Sequence, residues 1–507
     1  MRPARIARTP HPGGVRIAAV ARSGQVTVAC AINRSRPGVS KRPPWGVRAI
    51  LLTQRRRSAR RRPLQPRAGR PCLSLTTTIR IGVEGRRRPR RRGRGSAPVP
   101  GRLCCRRPRP RRHMLWRRSG SASVSAAVVE ALLDRPGYFE LFAGGGMVRA
   151  GLGPRWRCLL ANDIDPVKAA AYRRNWGDAE FVEADLRGLV SPPPAGRPAL
   201  VWGSFPCQDL SLAGAGAGFG GARSALYHVF WDLLDAMAAE GRAPALVAVE
   251  NVAGALTSRG GADFAAMLAR FRAAGYRAGA LLIDAALFVP QSRPRLFVIG
   301  AKAGVEALAT PGPAAPFHAS GLRRAVSALP EALRRDHVWW RVAAPPARNA
   351  DLAALLEPDA PCRPEAETAR LLALMSEANR AKLDAAQATG RPMAGCVFRR
   401  TRRDRAGERR QRAEVRFDGL AGCLRTPAGG SSRQTVLLVE GARVRSRLLT
   451  PRETARLMGL PEDYVLPARA NDAYRLTGDG VAVDVVRWLR DGLLAPLLEN
   501  ARVDAAA

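Results

Sequence analysis

From residue 137 onward the chain alternates short apolar runs with longer stretches whose apolar residues recur every three or four positions. The runs at 138–142, 157–161, 180–182 and 200–202 read as short buried strands, each bounded by Gly, Pro or Asp. A helix is predicted from Pro166 to about Asn175, opened by proline at its first turn. Another covers about 224–239 and leads to a fifth strand at 245–249. A third, at about 263–274, leads to strands at 277–283 and 296–299. Strands alternating with helices predict βαβ units and a parallel sheet covered on both faces. Residues 131–305 form this unit, and its ligands belong at the carboxyl ends of the strands.

The rhythm breaks after about Lys302. A Pro-rich stretch at 309–318 precedes a helical pattern at about 365–387 and strand-like pieces near 396–399, 414–417 and 435–439. A basic, polar loop is expected at 399–412. Residues 306–445 therefore read as a second, smaller domain with a basic surface of its own. Thr450-Pro451-Arg452-Glu453 then predicts a helix start, with Thr450 as N-cap and Glu453 in the capping-box position. Residues 446–500 return to the first domain, ending in an amphipathic helix at 480–494.

Charge changes the picture of the N-terminal quarter. The net charge is +43, and residues 1–113 hold 32 basic residues against one acid, Glu84. With no sustained period, 1–130 reads as a disordered basic, Arg/Pro-rich segment. Three explanations stay open: a basic arm for nucleic acid, an Arg-rich targeting peptide, or upstream sequence with the working start near Met114. The rest of the chain keeps a basic balance suited to a polyanionic partner. Only four of the basic residues are Lys, so the arginine content also carries a compositional bias. Nine scattered cysteines argue against a disulfide framework or a zinc site and for a reducing compartment. No apolar run reaches the roughly 18 residues of a membrane span.

The candidate chemistry sits at the strand ends. Phe142-Ala143-Gly144-Gly145-Gly146 lets backbone approach a ligand at a helix start, although Gly144, Gly146 and Gly151 miss the dinucleotide spacing. Asp163 ends the second strand, where a carboxylate binds ribose hydroxyls or caps the next helix. Asp185 ends the third and admits the same two roles. Pro206-Cys207-Gln208 follows the fourth strand on a stiff turn, where a thiolate attacks an electron-poor carbon or a buried cysteine merely closes the strand. Glu250-Asn251 follows the fifth strand, as an acid beside that thiol or as a capping pair. Arg293 and Arg295, in Pro290-Gln291-Ser292-Arg293-Pro294-Arg295, point the same way if extended, as a substrate-facing pair or as surface charge in an arginine-rich chain.

Together these elements, in this order, resemble the DNA (cytosine-5) methyltransferase family over most of 137–302 and 446–490. The resemblance implies a Rossmann-like S-adenosylmethionine-dependent methyltransferase sheet with a smaller target-recognition domain at 306–445. It implies that Phe142, Gly144, Gly146, Asp163, Ile164, Asp185 and Asp479 hold S-adenosylmethionine, with Asp163 on the ribose and Asp185 on the adenine. It implies Cys207 as nucleophile on carbon 6 of a cytosine flipped out of the duplex, Glu250 at ring nitrogen 3, Arg295 at the carbonyl of carbon 2, and Arg293 beside it. Gln208 follows the nucleophile and is expected to contact DNA, and Leu449–Glu453 matches the late Leu-Thr-x-Arg-Glu element. No metal is required.

Two positions depart from the family pattern. Met147 stands where the opening pair has its second glycine, and Asp479 replaces the asparagine of the final Gly-Asn-x-Val. Asp479 adds a negative charge near the meeting point of the sulfonium and the nucleophile loop. Base-reading candidates in the smaller domain are Arg425, Ser431, Ser432, Arg433 and Gln434; a structural glycine-rich turn is the alternative there. The partner expected is double-stranded DNA, read at a specific sequence by a cytoplasmic, nucleoid-associated bacterial monomer, with a cognate restriction endonuclease beside it. The rival functions are an RNA cytosine-5 methyltransferase on the same scaffold and a catalytically silent DNA-binding protein.

Overall fold

The computed structural model describes residues 16–22, 25–31, 49–55 and 135–506, except 192, 206–224, 349, 404–406 and 428–432. Two compact units, Met1–Asp134 and Arg135–Ala507, are described separately. In the first, β1 (Arg16–Arg22), β2 (Gln25–Ala31) and β3 (Ala49–Arg55) form an antiparallel sheet in the order β1-β2-β3. This departs from the expectation of disorder. Val and Thr in β2 and the Ile-Leu-Leu run in β3 favour strands locally, though the surrounding arginine runs hide the pattern.

In the second unit, β4 (Gly137–Leu141), β5 (Arg157–Asp163), β6 (Phe181–Glu183), β7 (Leu200–Gly203), β8 (Leu246–Val252), β9 (Arg277–Asp284) and β10 (Pro294–Ala301) build one sheet. Its order is β6-β5-β4-β7-β8-β10-β9. β4 to β8 pair in parallel, whereas β10 runs antiparallel to both β8 and β9. The wholly parallel sheet expected from the pattern is thus corrected to a mixed one. Alternate residues divide between two cores: Leu200, Trp202, Ala248 and Phe297 face one, and Val201, Val247, Val249 and Val298 face the other.

Helices cover both faces. α1 (Met147–Leu152) follows β4, and α2 (Pro166–Trp176) follows β5 with Asp165 as its side-chain N-cap and proline at the first position. α3 (Ala225–Ala239) precedes β8, and α4 (Ala262–Ala273) precedes β9. Residues 309–340, expected in the smaller domain, pack back on the sheet: Val338 donates to the Ala278 carbonyl at 2.9 Å and Leu282 to that of Phe317 at 2.9 Å. This stretch includes two-residue strands β11 (Ala309–Thr310) and β12 (Trp339–Trp340).

The smaller lobe holds α5 (Glu365–Ala373), α6 (Glu377–Ala388) and four strands, β13 (Met393–Arg403), β14 (Arg409–Arg416), β15 (Thr435–Glu440) and β16 (Arg443–Leu448). The four strands lie antiparallel in the order β14-β13-β15-β16. The basic stretch expected as a loop is therefore a hairpin, paired out to Arg403 and Arg409. Arginine on both faces removes the apolar–polar contrast by which alternation is read.

The chain then returns to the sheet. α7 (Pro451–Arg456) carries the expected capping box, with Thr450 and Glu453 bonding reciprocally. α8 (Ala470–Asp479), α9 (Val483–Leu489) and α10 (Ala495–Ala506) follow. The last amphipathic helix, expected at 480–494, is broken at Arg490–Leu494 by a π-helical turn and resumes beyond it.

Candidate active site

The Gly-rich turn between β4 and α1 is built for close backbone approach. Phe142 sits at φ 60°, in the left-handed region, strain of a kind that concentrates at functional sites. Gly144, at φ 56°, faces open space: a Cβ there would meet nothing within 4 Å. Its N–H donates to Asp163 Oδ2 at 2.8 Å, and Asp163 Oδ1 accepts from Asp165 N at 2.8 Å. Asp163 thus fixes the turn, while Asp165, not Asp163, caps α2. Gly145 lies under other groups: its carbonyl accepts from Trp176 Nε1 at 2.9 Å and from the Tyr464 hydroxyl at 2.8 Å.

These residues fit S-adenosylmethionine. Ile164 is 62% exposed beside buried Asp163, leaving an apolar face open at the same strand end. Asp185 is partly exposed at the end of β6, where it accepts from Arg187 N at 2.9 Å. Glu140, in the middle of β4, is buried, and among the described residues neither carboxyl oxygen has a geometric hydrogen-bond partner. Burial pushes its pKa up to about 8, against the pull of the Arg149 guanidinium and of the Val148 and Arg149 backbone.

Both departures from the family pattern have local partners. Met147 is buried and its sulfur occupies the space a side chain at Gly480 would need. Asp479 bonds Lys168 Nζ at 2.7 Å and accepts from the Thr426 hydroxyl, so its charge is balanced by the first turn of α2. Lys168 carried no signal in the sequence, because its partner lies in a distant segment.

On the other side of the sheet's switch point, β7 leads through Ser204 and Phe205 toward the expected nucleophile. Cys207 and Gln208 lie outside the described residues, as do Ser431 and Ser432. Glu250 and Asn251 lie within β8 rather than after it. Asn251 Nδ2 donates to the Phe205 carbonyl at 3.4 Å, tying β8 to the start of the nucleophile segment. Glu250 is buried and pairs with Arg295 Nε at 3.1 Å. Burial raises its pKa, while Arg295, Arg293 and the Ser204 side chain pull it down and leave a net rise. Ser204, not singled out from the sequence, also accepts from Trp202 Nε1 at 3.0 Å.

Arg293 differs from expectation. It is buried, and it donates to the carbonyls of Leu424 at 2.9 Å, Gly478 at 2.8 Å and Gly480 at 2.7 Å. It is a positioning group that joins three segments, not a group facing substrate. Gln291 acts alike: its amide donates to Leu457 O at 2.8 Å and accepts from Leu424 N at 3.0 Å. Both arginines approach the Cys423 sulfur, Arg293 at 3.5 Å and Arg295 at 4.0 Å. Burial raises that thiol's pKa, but the guanidiniums outweigh it and the net direction is down. Among the base-reading candidates, Arg425 and Arg433 are exposed. Gln434 is instead buried, accepting from Cys396 at 3.1 Å and donating to Cys423 O at 3.3 Å, so its amide is engaged within the lobe and not free for a base.

The model of the C-5 cytosine-specific DNA methylase family matches residues 137–494, more than half of the 507. The chain belongs to that family. It is similar to the type II methyltransferase M.AgeI of Thalassovita gelatinovora, 33% identical over 37% of this chain and 43% of that protein. It is also similar to the type II methyltransferase M.DsaV of Dactylococcopsis salina, 25% identical over 71% of this chain and 86% of that one. The chain spans less than half the length of M.AgeI and of several other curated relatives it matches. A solved Dnmt2 methyltransferase from S. pombe aligns over 72% of this chain and 99% of its own, at 20% identity and TM-score 0.44. Among the described residues, no helix is long and apolar enough to cross a membrane.

Proposed function

We propose that this chain transfers a methyl group from S-adenosylmethionine to carbon 5 of cytosine at a specific sequence in duplex DNA. The observation that carries the reading is the Glu250–Arg295 pair, set on neighbouring strands beside the segment that leads to Cys207. The Cys207 thiolate adds to carbon 6 of the extruded base. Glu250 holds a proton more readily than an ordinary carboxyl and donates it toward ring nitrogen 3. Arg295 supplies N–H donors for the carbonyl at carbon 2. Asn251 steadies the nucleophile segment through Phe205. When bound, S-adenosylmethionine supplies the methyl group that carbon 5 accepts. Carbon 5 then loses its proton to a solvent-borne base, the sulfur leaves by β-elimination, and ring nitrogen 3 returns its proton to Glu250.

Exposed Arg425 and Arg433 are the base-reading candidates that this reading keeps. Action on chromosomal DNA implies a cytoplasmic, nucleoid-associated monomer, and the type II names of the relatives support a cognate restriction endonuclease as partner. Tritium transfer from labelled S-adenosylmethionine to unmethylated duplex DNA, with transfer RNA in parallel, tests the reading. Label in DNA at cytosine carbon 5 is expected. Label confined to transfer RNA selects the RNA enzyme. No transfer at all, together with retained DNA binding, selects the silent binder.

A further inference from the structure

The hairpin of β13 and β14 opposes arginine with arginine. Arg400 faces Arg412, Arg402 faces Arg410, and Arg403 faces Arg409 across the ladder. Like charges directly opposite destabilise a sheet by up to about 1 kcal/mol per pair. Residues 399–412 carry eight arginines against two acids. At the base, Ala413 and Val415 are buried in the lobe, and Ala413 N donates to Leu374 O at 3.0 Å. Beyond Arg399 the described hairpin residues are exposed or nearly so on both faces, over a reach of roughly 15 Å at the usual strand rise.

Edge protection does not account for arginine set opposite arginine. In the hairpin, Arg400 and Arg402 both draw on the single carboxylate of Glu414, and Arg410 pairs with Glu408 at 3.0 Å, so acids offset only part of its arginine. Charge on edge strand β14 would discourage aggregation, but that purpose is served as well by acids opposite it on β13. A ladder of facing guanidiniums is stabilised when a chain of phosphates lies along it.

We propose that the hairpin is a clamp for the sugar-phosphate backbone of duplex DNA beside the target sequence. This rests on the DNA reading above. The clamp adds affinity without reading bases, because the guanidiniums neutralise phosphates and release counterions. Sequence choice remains with the loop that carries Arg425 and Arg433.

The test uses the full chain with Arg400, Arg402, Arg410 and Arg412 all changed to Gln, and a second version with all four changed to Lys. Binding to a mixed-sequence duplex of about 30 base pairs is measured from low to high salt. The Gln version should lower the slope of log Kd against log salt by about 2 to 4, at about 0.9 for each phosphate no longer neutralised. The Lys version should keep most of the slope, and the sequence context of methylated cytosine should be the same in all three proteins. Thermal unfolding at low salt should show the Gln version more stable than the parent, with the gap closing as salt rises. A Gln version with the parent's slope and affinity, or with an altered methylation context, overturns the clamp. A parent that binds steeply with salt but transfers no methyl group sinks the proposed function and leaves the clamp standing.

Discussion

Arginines inside the molecule and arginines on the hairpin obey opposite rules. Arg293 and Arg447 are among the largest fully buried side chains. Arg293 is held by three carbonyls, and Arg447 meets Glu453 at 2.6 and 2.8 Å. Arg447's charge is met by Glu453, whereas carbonyl dipoles hold Arg293 although burial and Arg295 push its pKa down to about 10; each ties the returning C-terminal segment to another part of the chain. The hairpin arginines face one another in solvent. The same side chain thus marks structure where partners surround it and a binding surface where like charge opposes it. In a chain this rich in arginine, environment separates the two roles and composition does not.

The largest expected effect falls at the nucleophile. Cys207→Ser should reduce methyl transfer about 10⁴-fold or more while leaving DNA affinity unchanged. Single-turnover rates with a duplex substrate check this, and near-normal turnover removes Cys207 from the mechanism. Glu250→Gln should lower kcat by about 10²- to 10⁴-fold. Because the carboxyl must hold a proton to serve ring nitrogen 3, the parent's rate should fall as pH rises through the raised Glu250 pKa. That alkaline limb should vanish in the Gln variant, whereas an identical pH profile refutes the assignment.

Arg293→Met sharpens the contrast between the two sets of arginines. It strands three carbonyls and should cost about 3 kcal/mol or more, read as a fall of several degrees in Tm, whereas the hairpin substitutions should cost nothing. Equal stability of the two variants would erase the distinction.

A pH-dependent effect concerns Glu140. Its folded pKa, about 8, lies above the ordinary 4.5, so the folded state binds the extra proton. Stability should therefore decline as pH rises from about 4.5 to 8. Glu140→Gln should flatten that decline, raising Tm at pH 9 and not at pH 4. A parallel pH dependence of Tm in the two proteins contradicts this.

Much of the sheet was legible because its strands are short apolar runs closed by Gly, Pro or Asp, as at Leu200–Gly203. The capping box at Thr450 was legible because it is local. Strand direction was not: a buried strand such as Pro294–Ala301 reads the same either way, and pairing with β8 and β9 decides it. The hairpin was hidden because arginine on both faces erases the period of two. Gln434 looked like a base reader because polarity in sequence does not reveal burial. Lys168 with Asp479, and Arg293 with Gly478, were invisible because such pairs exist only after the C-terminal segment returns to the sheet.

Base analysis of DNA from a methylation-free host expressing this chain tests the central claim most directly. The account predicts 5-methylcytosine in one sequence context, absent when Cys207 is replaced by Ser. Methyl groups on the exocyclic nitrogen of cytosine, or no methylated cytosine beside a folded and abundant protein, would contradict it.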